Sequence, residues 1–205
     1  MMYPDSEQMA WINTDPDDLW VMDKLILGRK LGHVCGPIGQ DVPKKGYYCV
    51  RPPVNAMGFG FETEKLYLIG STDNLRPGLF WNEWYEGRHI SVDYINGEQV
   101  LAVEGFRREK NFTIWEKWIK VDVELPIPEP LKDVASRYRK MNIEFIGGRP
   151  IEVHFRSNQD FQWGNSEFIP FFTNPYSFES EMYENQGYTW VRYPGDNGRL
   201  GAFIK

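Results

Sequence analysis

Two runs of alternating apolar and polar residues, each folded back on itself at a glycine turn, constrain this chain more than any other feature. Asn96-Gly97 and Gly147-Gly148 reach the positive φ angles of tight hairpin loops at low steric cost. The flanking residues have the period of two expected of half-buried strands. One hairpin joins residues 89–95 to 99–105, and the second joins 142–146 to 150–155. A chain with two such hairpins must build antiparallel sheet.

Further strands are expected at residues 47–51, 65–69, 79–85 and 115–123. Pro52 and Pro53 end the first of these, because neither can donate to a ladder. Two helices are predicted among the strands. Asp15 caps the first, Pro16 opens it, Asp17 and Asp18 complement its positive end, and Leu19, Met22, Ile26 and Leu27 form its apolar stripe as far as Gly32. The second carries Leu131, Val134, Ala135, Tyr138 and Met141 at helical spacing. Beyond Asn158 the chain reads as aromatic and irregular, closing in a hairpin around Gly195-Asp196-Asn197-Gly198. The class is α+β, with antiparallel sheets.

The 205 residues are 41% hydrophobic and 16% aromatic, enough for a buried core. Twenty-nine acidic residues against 23 basic give a net charge of −6, with no basic run, so nucleic acid is not an expected partner. No segment approaches the ~18 apolar residues of a membrane span, and the first residues have no signal-peptide pattern. The expectation is therefore a cytoplasmic protein without a membrane partner. Cys35 and Cys49 stand alone rather than in a CxxC pair, as reduced thiols do.

The second hairpin carries the strongest chemical signal. Alternation sends Glu144, Glu152, His154 and Arg156 to one face, and Ile143, Phe145, Ile151, Val153 and Phe155 to the other. Paired carboxylates suit Mg²⁺, which shares its shell with waters and substrate phosphates, and a nearby guanidinium suits an anion. Upstream, Arg51 ends a strand just before the glycine turn Asn55–Gly60, whose backbone N–H groups can approach phosphate. Lys24 lies on the first helix. The segment from Phe80 to Asp93 combines aromatic side chains with a strand end, a setting that can hold a flat heterocycle. Each feature also has a plain structural explanation: a solvated hairpin face, a turn, an aromatic core strand.

Their order along the chain resembles the ATP-grasp fold from about Asp23 to Arg156. Met22-Asp23-Lys24 is similar to the start of its ATP-binding region, and Tyr48-Cys49-Val50-Arg51-Pro52 to the strand that carries its phosphate-gripping lysine. Asn82-Glu83-Trp84-Tyr85-Glu86-Gly87-Arg88-His89 resembles the adenine hinge and ribose-binding segment. Glu144 matches the first metal carboxylate, and Glu152-Val153-His154 the second metal-binding pair. Within the superfamily, the chain most resembles small, phage-associated members, which would place it in a host cytoplasm.

The resemblance implies two small α+β lobes enclosing a nucleotide cleft: an N-lobe at about residues 15–85, a C-lobe at about 86–160, and an extension from 161 to 205. It implies an ATP- and Mg²⁺-dependent ligase that joins a carboxylate to an amine or thiol through an acyl-phosphate, on a metabolite, peptide or protein. ATP would be bound by Lys24, Arg51, Asn55, Gly58, Gly60, Asn82, Glu83, Trp84, Tyr85 and His89, and metal by Glu144, Glu152 and His154. Arg51 and Arg156 would act on the transferred phosphate. The stretch before Lys24 is too short for the N-terminal domain of many such ligases, which leaves the Trp-rich segment 112–120, the tail after Asn158 or a partner to hold the second substrate.

Three positions depart from the pattern. Arg51 replaces lysine, His89 a ribose-binding glutamate and His154 a metal-binding asparagine. Nitrogen at His154 is not what Mg²⁺ prefers, and Mn²⁺ is a natural corollary. These departures keep a second expectation open, a catalytically degenerate scaffold serving as a nucleotide-binding, structural or interaction protein, viral for example. A nucleotide-independent metal hydrolase built on Glu144, Glu152 and His154 is a third.

Overall fold

Alternating strands pair into sheets that bury one face and leave the other for polar groups. The computed structural model describes residues 6–54, 63–107, 115–194 and 198–205, and has two such sheets. The small sheet contains β1 (Cys35–Pro37), β2 (Gly46–Arg51), β3 (Glu64–Leu68) and β4 (Phe80–Glu83), in the order β1-β4-β2-β3. The large sheet contains β5 (His89–Ile95), β6 (Glu98–Arg107), β7 (Trp115–Lys120), β8 (Lys140–Ile146), β9 (Arg149–His154), β10 (Glu167–Phe171), β11 (Thr189–Arg192) and β12 (Gly201–Ile204). Their spatial order is β11-β12-β10-β7-β6-β5-β8-β9, and neighbours in both sheets are antiparallel. Helices α1 (Ser6–Ile12), α2 (Lys24–Lys30), α3 (Lys132–Arg137) and α4 (Ser177–Glu184) complete an α+β molecule, with 3-10 turns at Pro16–Val21 and Glu129–Leu131. None of the described helices is long and apolar enough to cross a membrane.

Both expected hairpins are present, but both expected helices change. The first breaks in two. Asp15 caps only the 3-10 turn, and Asp23 accepts hydrogen bonds from the backbone N–H groups of Leu25 and Ile26, so that a new helix, α2, starts at Lys24. An aspartate prefers that cap to a place inside a helix. The second helix stops at Arg137. Tyr138 turns extended to stack on Phe155, with ring centroids 3.9 Å apart, and Met141 becomes part of β8. The segment beyond Asn158 is also more ordered than expected: β10, β11 and β12 extend the large sheet past β7, and α4 precedes β11. The turn at residues 195–197 of the closing hairpin lies outside the described residues.

The main core lies under one face of the large sheet. Ile90, Val92 and Tyr94 of β5 and Met141, Ile143 and Phe145 of β8 pack with Leu131, Val134 and Ala135 from the α3 region, and the cluster also takes in Leu27 of α2. Each such side chain contributes on the order of 1.5–3 kcal/mol when fully buried. A second core, Val42, Tyr48, Val50, Leu68 and Trp81, holds the small sheet. A third, including Val103, Trp118, Phe168 and Ala202, joins the last strands to the middle of the large sheet. With its apolar side chains committed to these cores, each sheet turns its other face toward the space between the two.

Candidate functional site

Alternation decides which side chains reach that space. On β2, Tyr48 and Val50 belong to the small core, so Cys49 and Arg51 project the other way. On β5, β8 and β9 the same rule gathers His89, Ser91, Asp93, Asn142, Glu144, Glu152 and His154 on one face. Register confirms the grouping: Ser91 lies opposite Glu144, Asp93 opposite Asn142, Glu144 opposite Glu152 and Asn142 opposite His154.

Lys24 reaches the same place from α2. Its backbone N–H donates to the carbonyl of Pro53 at 2.7 Å, fastening the start of α2 to the end of β2. Its side chain is buried, with Nζ 4.0 Å from Glu152 Oε1. Arg51 Nη2 donates to the Ile151 carbonyl at 3.1 Å. Lys24, Arg51, Phe80, Asn82, Tyr85 and Ile151 line a cleft of ≈ 240 Å³. Among the described residues, several buried polar atoms here have no hydrogen-bond partner: Arg51 Nε and Asn82 Oδ1 at the cleft, and Arg107 Nε beside His89.

Each carboxylate carries a histidine. His89 Nε2 is 2.8 Å from Glu144 Oε2, and His154 Nε2 is 3.2 Å from Glu152 Oε1. Burial, the largest single influence, would raise Glu144, yet the hydrogen bond and charge of His89 together with His154 hold the group below the usual range. Glu152 lies well below that range: burial opposes, and Lys24, His154 and Arg51 prevail. Burial lowers His89, against the pull of Glu144. Arg107 Nη2 lies 3.3 Å from His89 Nδ1. A guanidinium can only donate, so Nδ1 accepts and the ring proton resides on Nε2, facing Glu144.

Three cations, Lys24, Arg51 and Arg107, thus surround two carboxylates, and the surplus positive charge suits an anion. Among the described residues, no three His, Cys, Asp or Glu side chains form a group that could hold a metal ion, so Glu144, Glu152 and His154 are not a preformed three-ligand site. Glu144 and Glu152, adjacent and ionised, still fit Mg²⁺, which takes one or two carboxylates from a protein and completes its shell with waters and phosphates.

The remaining expected residues spread around this centre. Trp84 lies under the Lys65 ammonium, and Tyr85 under the Arg149 guanidinium. Glu83 is engaged by Lys44 at 2.7 Å. Arg156 bears electrostatically on Asp93 and Asp160, farther along the sheet. Asn55, Gly58 and Gly60 lie outside the described residues.

Sequence reading missed Arg107, Asp93, Asn142 and Ser91. The last three were legible, since they follow from His89 and Glu144 by steps of two. Arg107 was not, because a register shift between Phe106 and Arg107 breaks the alternation of β6. Trp115 and Trp118 of the Trp-rich segment pack edge-on to His89, with ring centroids at 4.7 and 5.9 Å.

No family model and no curated protein sequence matches this chain. Solved structures do. N5-carboxyaminoimidazole synthetase from Staphylococcus aureus is similar with a TM-score of 0.51 at 10% identity, over 90% of this chain and 67% of that one. An ATP-grasp superfamily protein from Archaeoglobus fulgidus gives 0.50 at 15% identity, over 90% and 64%. The ATP-grasp ligase PsnB, complexed with a minimal precursor, gives 0.46 at 13% identity, over 70% and 54%. The chain therefore spans between 54% and 67% of the length of these structures. Two antiparallel sheets facing one another across a cleft, in a chain that matches the Staphylococcus aureus and Archaeoglobus fulgidus structures over 90% of its length, are the ATP-grasp fold.

Proposed function

We propose that the chain is an ATP-dependent ligase that joins a carboxylate to an amine or a thiol. The observation that carries this reading is the convergence of Lys24 and Arg51 on Glu152, with Glu144 directly across from it, beside a cleft where, among the described residues, Arg51 Nε and Asn82 Oδ1 have no hydrogen-bond partner. The lobes that form it are residues of about 15–85 and 86–160, with 161–205 as an extension.

In this reading Lys24, Arg51 and Arg107 neutralise the triphosphate, and the turn Asn55–Gly60 covers it with backbone N–H groups. Asn82 Oδ1 accepts from an exocyclic amine of the base, a demand that adenine meets. Glu83, Trp84 and Tyr85 form the hinge beside the base. Glu144 and Glu152 hold Mg²⁺, or Mn²⁺ in its place, with His154 bracing Glu152; the metal would supply charge neutralisation at the phosphates.

The substrate carboxylate attacks the γ-phosphorus and ADP leaves. An amine or thiol then attacks the acyl-phosphate carbon and inorganic phosphate leaves. The protein contributes position and charge, and Arg156 steadies the transferred group. The acceptor class includes peptides and proteins.

Calorimetry tests the reading. Mg²⁺-dependent ATP binding should be lost in Glu152→Ala with the fold intact, and unchanged affinity would refute the site. A second reading, a scaffold that binds nucleotide without turnover, is favoured by the histidines already paired to both carboxylates. ADP release in the presence of a carboxylate and an amine separates the two.

A further inference from the structure

His89 is held from several sides. Its ring is buried, with both nitrogens engaged, Nε2 by Glu144 at 2.8 Å and Nδ1 by Arg107 at 3.3 Å. Trp115 and Trp118 meet it at interplanar angles of 82° and 88°, fixing its plane from the β7 side. Gly105, opposite His89 in register, makes room for them: a Cβ there would lie 2.4 Å from the Trp115 ring and 2.7 Å from Trp118. The Arg107 guanidinium stacks on Trp115 at 4.0 Å. A ring held in this way has no nitrogen left for a nucleotide.

Glu144 needs such a partner. It stands directly across from Glu152 on the neighbouring strand, and like charges placed so repel. Left alone, Glu144 would swing away. A fixed N–H donor on Oε2 holds it in place.

We infer that His89 is a positioning residue: the chain Arg107–His89–Glu144 fixes the ring tautomer and holds the Glu144 carboxylate in place for the metal-bound nucleotide. This rests on the ligase reading for its ligand, and on the geometry alone for the relay. His89 acts through Glu144 and touches neither nucleotide nor substrate.

Two measurements test it. The first is ¹⁵N NMR of the histidine rings in the full chain, assigned by comparison with His89→Gln. A neutral His89 with its proton on Nε2 supports the relay, and a proton on Nδ1 overturns it, whether or not nucleotide binds.

The second is calorimetric titration with ATP, in Mg²⁺ and in EDTA, for the wild type, His89→Gln, His89→Asn and His89→Ala. Glutamine places its amide near Nε2 and keeps the donor to Glu144, whereas asparagine reaches only the Nδ1 position. In Mg²⁺, affinity should fall by about 10- to 100-fold for Asn and Ala and stay within about threefold for Gln. In EDTA all four proteins should bind alike. Equal losses in Mg²⁺ and EDTA, or Asn and Ala variants with wild-type Mg²⁺-dependent affinity, overturn the inference. A wild type that binds no ATP in either condition refutes the ligase reading instead, and the NMR result still judges the relay.

Discussion

Asp18 shows what a single buried charge does for this fold. It is 3% exposed and takes two hydrogen bonds from Arg137, Nη2–Oδ1 at 2.5 Å and Nε–Oδ2 at 3.1 Å, tying the first 3-10 turn to α3. The hydrogen bond from Arg137 lowers its pKa, burial opposes, and Tyr138 adds to the lowering. A carboxyl whose folded value lies below its unfolded one, near 3.9, stabilises the fold above that unfolded value. The contribution is lost as pH falls through the folded value. Asp18→Asn should therefore cost about 2 kcal/mol at pH 7, and the gap from wild type should close on titration to strongly acidic pH. Urea denaturation across that range checks it; a gap that does not change with pH would contradict the assignment. Neither end of this pair is legible in the sequence as a pair, because Asp18 and Arg137 lie 119 residues apart. The acidic face of the second hairpin was legible from alternation within each strand, although Glu144 meets Glu152 across the hairpin only through the register shift between Glu144 and Phe145.

Hairpin turns carry their own consequences at the level of elements. Gly147 and Gly148 both have positive φ, 57° and 77°, but only Gly147 lies against another backbone. A Cβ on Gly147 would sit 2.3 Å from the Glu86 carbonyl oxygen, where the chain passes from β4 to β5, whereas one on Gly148 meets nothing within 4 Å. Gly148→Ala should cost about 1–2 kcal/mol, the strain of a left-handed alanine. Gly147→Ala should cost roughly 1–3 kcal/mol more, because backbone must move. Chemical denaturation that ranks the two equally would contradict the contact.

Gly105→Ala should likewise displace Trp115 and Trp118 from His89, losing about 1–3 kcal/mol and shifting the tryptophan fluorescence. An unchanged spectrum would contradict that packing. Local chemistry explains which elements the sequence reveals. A glycine pair between alternating runs announces a hairpin without outside help. The break at Asp23 arises from a cap competing with a helical stripe, and β10 is defined only by β7 and β12, its neighbours from elsewhere in the chain.

For the whole molecule, two sheets divide the work. The small sheet contributes Arg51 and Asn82, the large sheet the acids, the histidines and Arg107, and α2 adds Lys24 beside the strand that bears Glu152. If a nucleotide binds between the sheets as proposed, ATP with Mg²⁺ should slow hydrogen exchange in the segment that joins β4 to β5, and exchange identical with and without nucleotide would contradict that placement. Fold class followed from hairpins alone, whereas the fold itself needed the order of several weak motifs, which no one of them carried. The most direct trial is a crystal structure with a non-hydrolysable ATP analogue and Mg²⁺. Its triphosphate should lie between Lys24, Arg51 and Arg107 on one side and Glu144 and Glu152 on the other. An analogue bound elsewhere, or a cleft that stays empty at millimolar nucleotide, would contradict the proposal.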